Sequence, residues 1–296
     1  MARTQLRGLE IAGIQIGIEV DQNCPWEWPD DVISGYSCLP RNPDVHVGVR
    51  TGDVGNADLA GERYALGAWT FEVARDGEDW VLGLSRSGQR EQLAFFDKEF
   101  KAGEIVMSND AALRHGYPLS SPLDEWIVLH RMVARGGLCL NASALSVQGQ
   151  ARVLLGARDP NSGNRWTTPL TTMLGRNTLW IGEEGGRLLV YRTPWGDAMD
   201  RQLGAVSRVL EFSLVEESER PFREILDPGE AAELLVTHAV VPLCDEGLLD
   251  RVMRNAQRMG ERTRVLRLGE VRTSFAPMAW QSPQLQGGFA PPSGAL

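Results

Sequence analysis

Lysine is almost missing from this chain: of thirty basic residues in 296, only Lys98 and Lys101 are lysines. Any chemistry that needs a lysine must therefore find it at one of two positions. A basic excess is missing too. The formal net charge is -9, which excludes sequence-independent binding to nucleic acid or to an anionic membrane surface. No run approaches the ~18–20 apolar residues of a membrane span. The four cysteines, Cys24, Cys38, Cys139 and Cys244, form no C-x-x-C pair and show no metal-ligand spacing with the four histidines. They are expected to be scattered reduced thiols, and no metal or cofactor is expected. The opening MARTQLRGLE carries no apolar signal core, so a cytoplasmic setting is the expectation.

What is present suits a globular protein. Hydrophobic residues make up 43% and charged residues 23%, enough to build a core and too apolar for disorder. Leu9–Val20 alternates with period two and predicts a half-buried strand. Similar short runs cover Asp44–Arg50, Ala68–Ala74, Trp80–Leu84 and Gln92–Phe96, separated by turns at Asp76-Gly77 and Ser87-Gly88. Residues 1–121 therefore read as an antiparallel β-rich region. Pro122 opens a helix that stops at Gly136-Gly137 and marks a transition to a second region, 122–280. There the pattern is strand (Leu138–Val147), turn (Gln148-Gly149) and strand (Ala151–Leu155), followed by a polar loop. A hairpin follows, with Leu179–Ile181 and Arg187–Tyr191 joined around Glu183-Glu184-Gly185-Gly186. Helices are predicted over Pro228–Val236, capped by Asp227, and Glu246–Met259, closed by Gly260. Arg264–Leu268 is the last strand, and residues 281–296 are a Pro/Gly/Ser/Gln-rich tail. The fold class expected is mixed α/β.

Within Leu138–Leu170 the chain resembles the kinase domain of the HPr kinase/phosphorylase family. The shared order is an apolar strand carrying Asn141-Ala142-Ser143, a tight turn, a second strand ending at Gly156, and a loop. In the loop, Ser162-Gly163-Asn164-Arg165-Trp166-Thr167-Thr168 falls over the family's Ser-Gly-x-Gly-Lys-Ser/Thr phosphate motif. Thr193-Pro194-Trp195-Gly196 resembles a segment of the family's distant, peptide-cluster-associated members, and the likeness runs from about residue 125 to 270. The resemblance implies a P-loop-type C-terminal domain whose loop once held nucleotide phosphates.

The departures bear on function. A phosphate loop needs backbone N–H groups aimed at the phosphates, a glycine for close approach and a lysine for the β/γ charge. Here Arg165 stands at the second glycine and Trp166 at the lysine, and the loop from Gly156 is about four residues too long. An indole offers one donor and no charge. Thr167 and Thr168 remain, and Arg158 or Arg165 is free to meet an anion in another way. Asn141 replaces the family's histidine. Glu183 and Glu184 stand near the family's magnesium-orienting aspartates, and equally suit a solvated hairpin tip. A Ser143 nucleophile with His130 or His238 as base has no G-x-S-x-G elbow behind it.

The expectation is a non-catalytic, kinase-like subunit or adaptor that binds another protein or enzyme complex. Arg158, Arg165 and Trp166 would then make the loop an interface, or Trp166 would plug the vacated pocket. The alternatives are an ATP-dependent kinase of a protein or peptide hydroxyl with an atypical site built from Arg165, Thr167 and Glu183, and a small-molecule sensor.

Overall fold

Alternating apolar side chains build the first half of the chain into one sheet, and a computed structural model shows how the alternation is cut. It describes residues 4–21, 24–25, 27, 31–156, 172–175, 178–195, 206–242 and 245–270. The run expected as a single strand at Leu9–Val20 is a hairpin, β1 (Thr4–Ile11) and β2 (Ile14–Asp21). Ala12 and Gly13 turn the chain with φ of 53° and 74°, and Ile11 faces Ile14 across the ladder. Two left-handed residues in succession match the twist of a hairpin. An alanine does not announce that conformation, and the period-two pattern runs through the turn unbroken.

Six further strands follow: β3 (Val45–Thr51), β4 (Glu62–Leu66), β5 (Trp69–Asp76), β6 (Asp79–Arg86), β7 (Gln89–Phe96) and β8 (Ala102–Met107). The sheet order is β1-β2-β3-β8-β7-β6-β5-β4. It is not wholly antiparallel, as the sequence suggested, because β3 runs parallel to both β2 and β8. The chain leaves β2 at Asp21, passes through a one-turn helix, α1 (Asp31–Ser34), and re-enters the sheet at the end where β2 began. Parallel neighbours require such a crossover.

Two helices then lead to the second sheet. Helix α2 (Asn109–His115) is capped by Ser108, whose hydroxyl accepts from the Ala111 N–H at 3.1 Å. Helix α3 (Leu123–Ala134) buries Leu123, Ile127, Val128 and Met132 and packs on β2 behind it and on the second sheet ahead.

The second sheet comprises β9 (Leu138–Leu140), β10 (Ala142–Val147), β11 (Gln150–Leu155), β12 (Thr172–Gly175), β13 (Leu179–Glu184), β14 (Arg187–Tyr191), β15 (Ser207–Glu217), β16 (Phe222–Ile225) and β17 (Arg264–Glu270). Its path is β12-β10-β11-β15-β14-β13-β9, with β17 beside β15 and β16 beside β17. Only Asn141 separates β9 from β10, yet the two stand toward opposite ends of this path, so the sheet curls back on itself. Strands β11, β15 and β17 are parallel and share one carboxyl end.

Helices α4 (Pro228–Thr237) and α5 (Glu246–Arg262) complete the fold. Asp227 and Glu230 form a reciprocal capping box at the start of α4. Gly260 does not end α5, which runs on to Arg262. A Cβ there would lie 3.0 Å from the Pro228 carbonyl and 3.1 Å from Ala231, so this glycine lets α5 lie close against α4. Asn255 donates to the Val133 and Gly137 carbonyls at 2.8 and 3.0 Å, fastening α5 to the end of α3. Buried side chains from both sheets and from α3 and α5 form one contiguous core.

Candidate functional site

In sheets with parallel strands, ligands bind beyond the carboxyl ends, where the strand direction switches. Strand β11 is such a place, antiparallel to β10 on one side and parallel to β15 on the other. The chain leaves it at Gly156 with φ of 67°, and a Cβ there would meet the His238 ring at 2.9 Å. Three segments meet at this junction. The Gly156 N–H donates to the Asn141 carbonyl at 3.2 Å, and the Asn141 N–H donates to the His238 carbonyl at 2.7 Å. Asn141, which occupies the histidine position of the resemblance, thus touches the residue that opens the loop. His238 caps the carboxyl end of α4 and reaches the same point from elsewhere in the chain. Partial burial lowers its pKa, which keeps the imidazole neutral around pH 7. No spacing in the sequence links residue 238 to residue 156.

The rest of the expected loop, Arg158, Ser162, Gly163, Asn164, Arg165, Trp166, Thr167 and Thr168, lies outside the described residues, as do Cys244 and the tail from residue 281.

Glu183 and Glu184 do not join this junction. Both lie within β13, and the turn is Gly185-Gly186, with φ of 55° and 75°. Glu183 is ion-paired with Arg262 at 2.8 Å, and Arg262 also donates to the Gly186 carbonyl at 2.9 Å. Gly186 and Arg187 share a cavity with Gln150 and Arg264, which begin β11 and β17. Gly156 is six residues beyond Gln150, about 20 Å away at the rise of a strand. The acidic pair therefore lies toward the amino ends of the parallel strands, at the opposite end of β11 from Gly156. Sequence order alone could not show which end of β13 points where.

The histidines expected as bases are placed differently. His130 is buried in an aromatic cage formed by Trp80, Phe100 and Trp126. Its Nδ1 lies 2.8 Å from the Trp126 carbonyl and its Nε2 3.2 Å from the Asp245 carboxylate. Ser143 sits on β10 opposite Leu154, and the ring nitrogens of His130 are occupied elsewhere, so no Ser143–His130 pair exists. Burial pushes the Asp245 carboxyl up, but hydrogen bonds from His130 and the Leu248 N–H outweigh it and hold the group below its ordinary value. Arg75, stacked on Trp80, adds its charge from 3.6 Å.

The Thr193-Pro194-Trp195 segment meets a buried acid of α3, Asp124. The Trp195 indole donates to Asp124 at 2.8 Å, and burial raises the Asp124 carboxyl to about 7 despite that bond. Among the described residues, no group of three or more His, Cys, Asp or Glu is arranged to hold a metal ion. Nor, among them, is any helix long and apolar enough to cross a membrane. No family model matches the chain, and no curated protein is significantly similar to it.

Proposed function

We propose that this protein is a non-catalytic, HPr kinase-like subunit or adaptor, whose loop after Gly156 meets a partner protein instead of nucleotide phosphates. The observation that carries this reading is the placement of its only two lysines. Lys98 is ion-paired with Glu78 at 2.9 Å and Lys101 with Glu99, both around the β7–β8 connection of the first sheet. Neither belongs to the region that carries the loop. Arg165 and Trp166 stand in the sequence where a phosphate loop needs glycine and lysine. Glu183, the carboxylate that an atypical kinase site would recruit, is tied to Arg262. That pairing supports the non-catalytic reading over the kinase alternative.

The test is a melting curve in millimolar Mg-ATP and Mg-GTP. A ligand at a hundred times its Kd stabilises a fold by about 2.7 kcal/mol. The expected result is no shift attributable to the loop. A rise that disappears when Arg165 and Thr167 are replaced would overturn the proposal in favour of the kinase.

A further inference from the structure

A concentration of arginines with few ion pairs lies between α3, α5 and the start of β8. There a cavity of about 700 Å³ is lined by Arg131, Arg251, Arg254, Arg258 and Lys101. Its acidic lining residues are Glu99 and Glu261 alone. Glu99 is ion-paired with Lys101, and Glu261 accepts from Gln257 at 3.2 Å. The chain as a whole carries -9, so four arginines gathered around one hollow run against its overall charge.

Arg131 distinguishes this hollow from a solvated helix face. It is only 8% exposed, on the inner face of α3, and no carboxylate among the described residues lies within ion-pairing distance. Its Nη1 donates to the Glu99 carbonyl at 3.0 Å, while its Nε is buried without a hydrogen-bond partner. Burial lowers its pKa, and Asp44, Asp97 and Glu99, acting through space, do not make up the difference. A buried cation left this way is costly unless an anion joins it.

The other arginines are placed to complete such a partnership. Arg251, Arg254 and Arg258 follow one another at steps of three and four on α5 and so share a face. Arg258 is oriented by Asn255, whose side-chain oxygen accepts from it at 2.6 Å and whose amide is fixed by two α3-end carbonyls. Arg251 and Arg254 make no ion pair with a described residue. Guanidinium forks match the oxygens of phosphate in a planar, bidentate way that a lysine cannot. The volume is that of an ordinary small-molecule site.

We infer that this cavity binds a phosphorylated small molecule carrying more than one negative charge, with Arg131 at its base and Arg251, Arg254 and Arg258 along its wall. Its lining shares no residue with the Gly156 junction, and it needs neither magnesium nor catalysis.

The test is calorimetric titration of the full chain with inorganic pyrophosphate at constant ionic strength, beside orthophosphate and citrate. Saturable one-to-one binding of pyrophosphate is expected, with citrate weaker. In the double variant Arg251→Gln/Arg254→Gln the affinity is expected to fall by about tenfold or more, since each charge-assisted bond lost weighs that much. Both side chains reach solvent, so the melting temperature of the variant is expected to stay at the wild-type value. Arg131→Gln, checked for folding by circular dichroism, is expected to abolish binding. No heat at millimolar pyrophosphate, equal affinity in the double variant, or citrate binding as tightly as pyrophosphate each overturns the inference. A nucleotide-induced melting shift that the double variant abolishes belongs to this cavity. One that it retains belongs to the loop and counts against the non-catalytic reading instead.

Discussion

At the residue scale the most consequential side chain is Asp124. Its carboxyl titrates at about 7 in the fold and near 3.9 when unfolded, because burial outweighs the hydrogen bond from Trp195. Between those values the native protein holds a proton that the unfolded chain releases. Stability therefore falls as pH rises from about 4 to about 7, and the full deficit persists above that. Asp124→Asn removes the titration at the cost of one hydrogen bond, since two oxygens accept from Trp195 and the Glu125 N–H and an amide nitrogen, being a donor, can replace neither. Melting curves at pH 5 and pH 8 are expected to show the variant gaining on the wild type at the higher pH; an unchanged difference would mean that Asp124 is ionised throughout. Trp166 makes the second prediction at this scale. As an interface anchor, its replacement by alanine costs about 2 kcal/mol of partner affinity and leaves the melting temperature alone. As a plug it costs about 3–5 kcal/mol of folding stability instead. The sequence made Trp166 and Arg165 conspicuous because they break a motif. It could not reveal Asp124, Asp245 or His238, whose surroundings are assembled from residues far apart in the chain.

Elements were legible to the extent that their signals are local. The start of α4 was readable from Asp227 as its cap, and Glu230 completes a reciprocal capping box in the structure. Asp227→Ala is expected to cost about 1 kcal/mol, measured by urea denaturation, because it leaves the Glu230 N–H without its acceptor. The stop at Gly136-Gly137 was readable for the same reason. Gly260 misled, because its purpose is contact with α4, and close helix packing leaves no mark that differs from a terminal glycine. Strand β15, the longest of all, escaped notice. It carries Arg208 and Glu211 in its ladder, and Glu211 is buried and paired with Arg152, a pairing visible only across two strands. Strand β4 escaped as well: Glu62 and Arg63 are exposed and there is no apolar alternation, and it is held by its ladder with β5 and by Tyr64 packing against Trp126.

For the whole molecule, the chain passes from one sheet to the other through α2 and α3, and α3 serves both. Its inner face belongs to the single core that contains Trp80 and Phe96 of the first sheet and Trp180 and Val190 of the second. Cutting the chain there would expose that face on either product. Equilibrium denaturation is accordingly expected to be one transition, with near-ultraviolet circular dichroism and amide exchange in β6 and β11 losing protection together. Two separated transitions would show that each sheet is stable by itself. The mixed α/β class was legible in the sequence. The parallel placement of β3 was not, because parallel pairing depends on where a long connection returns the chain.

The curled second sheet also governs how the protein behaves in concentrated solution. Strands at the ends of this ladder have a single neighbour, and unpaired edges are where separate molecules add to one another's sheets. One such strand is β16, which pairs only with β17 and carries Phe222 and Ile225 at 40% and 61% exposure. Arg223 and Glu224 interrupt that apolar pair with charges of opposite sign, the arrangement by which natural edges discourage intermolecular growth. Colloidal stability on that side of the molecule thus depends on two charged residues in a strand of four, and raising the salt concentration should weaken that protection first.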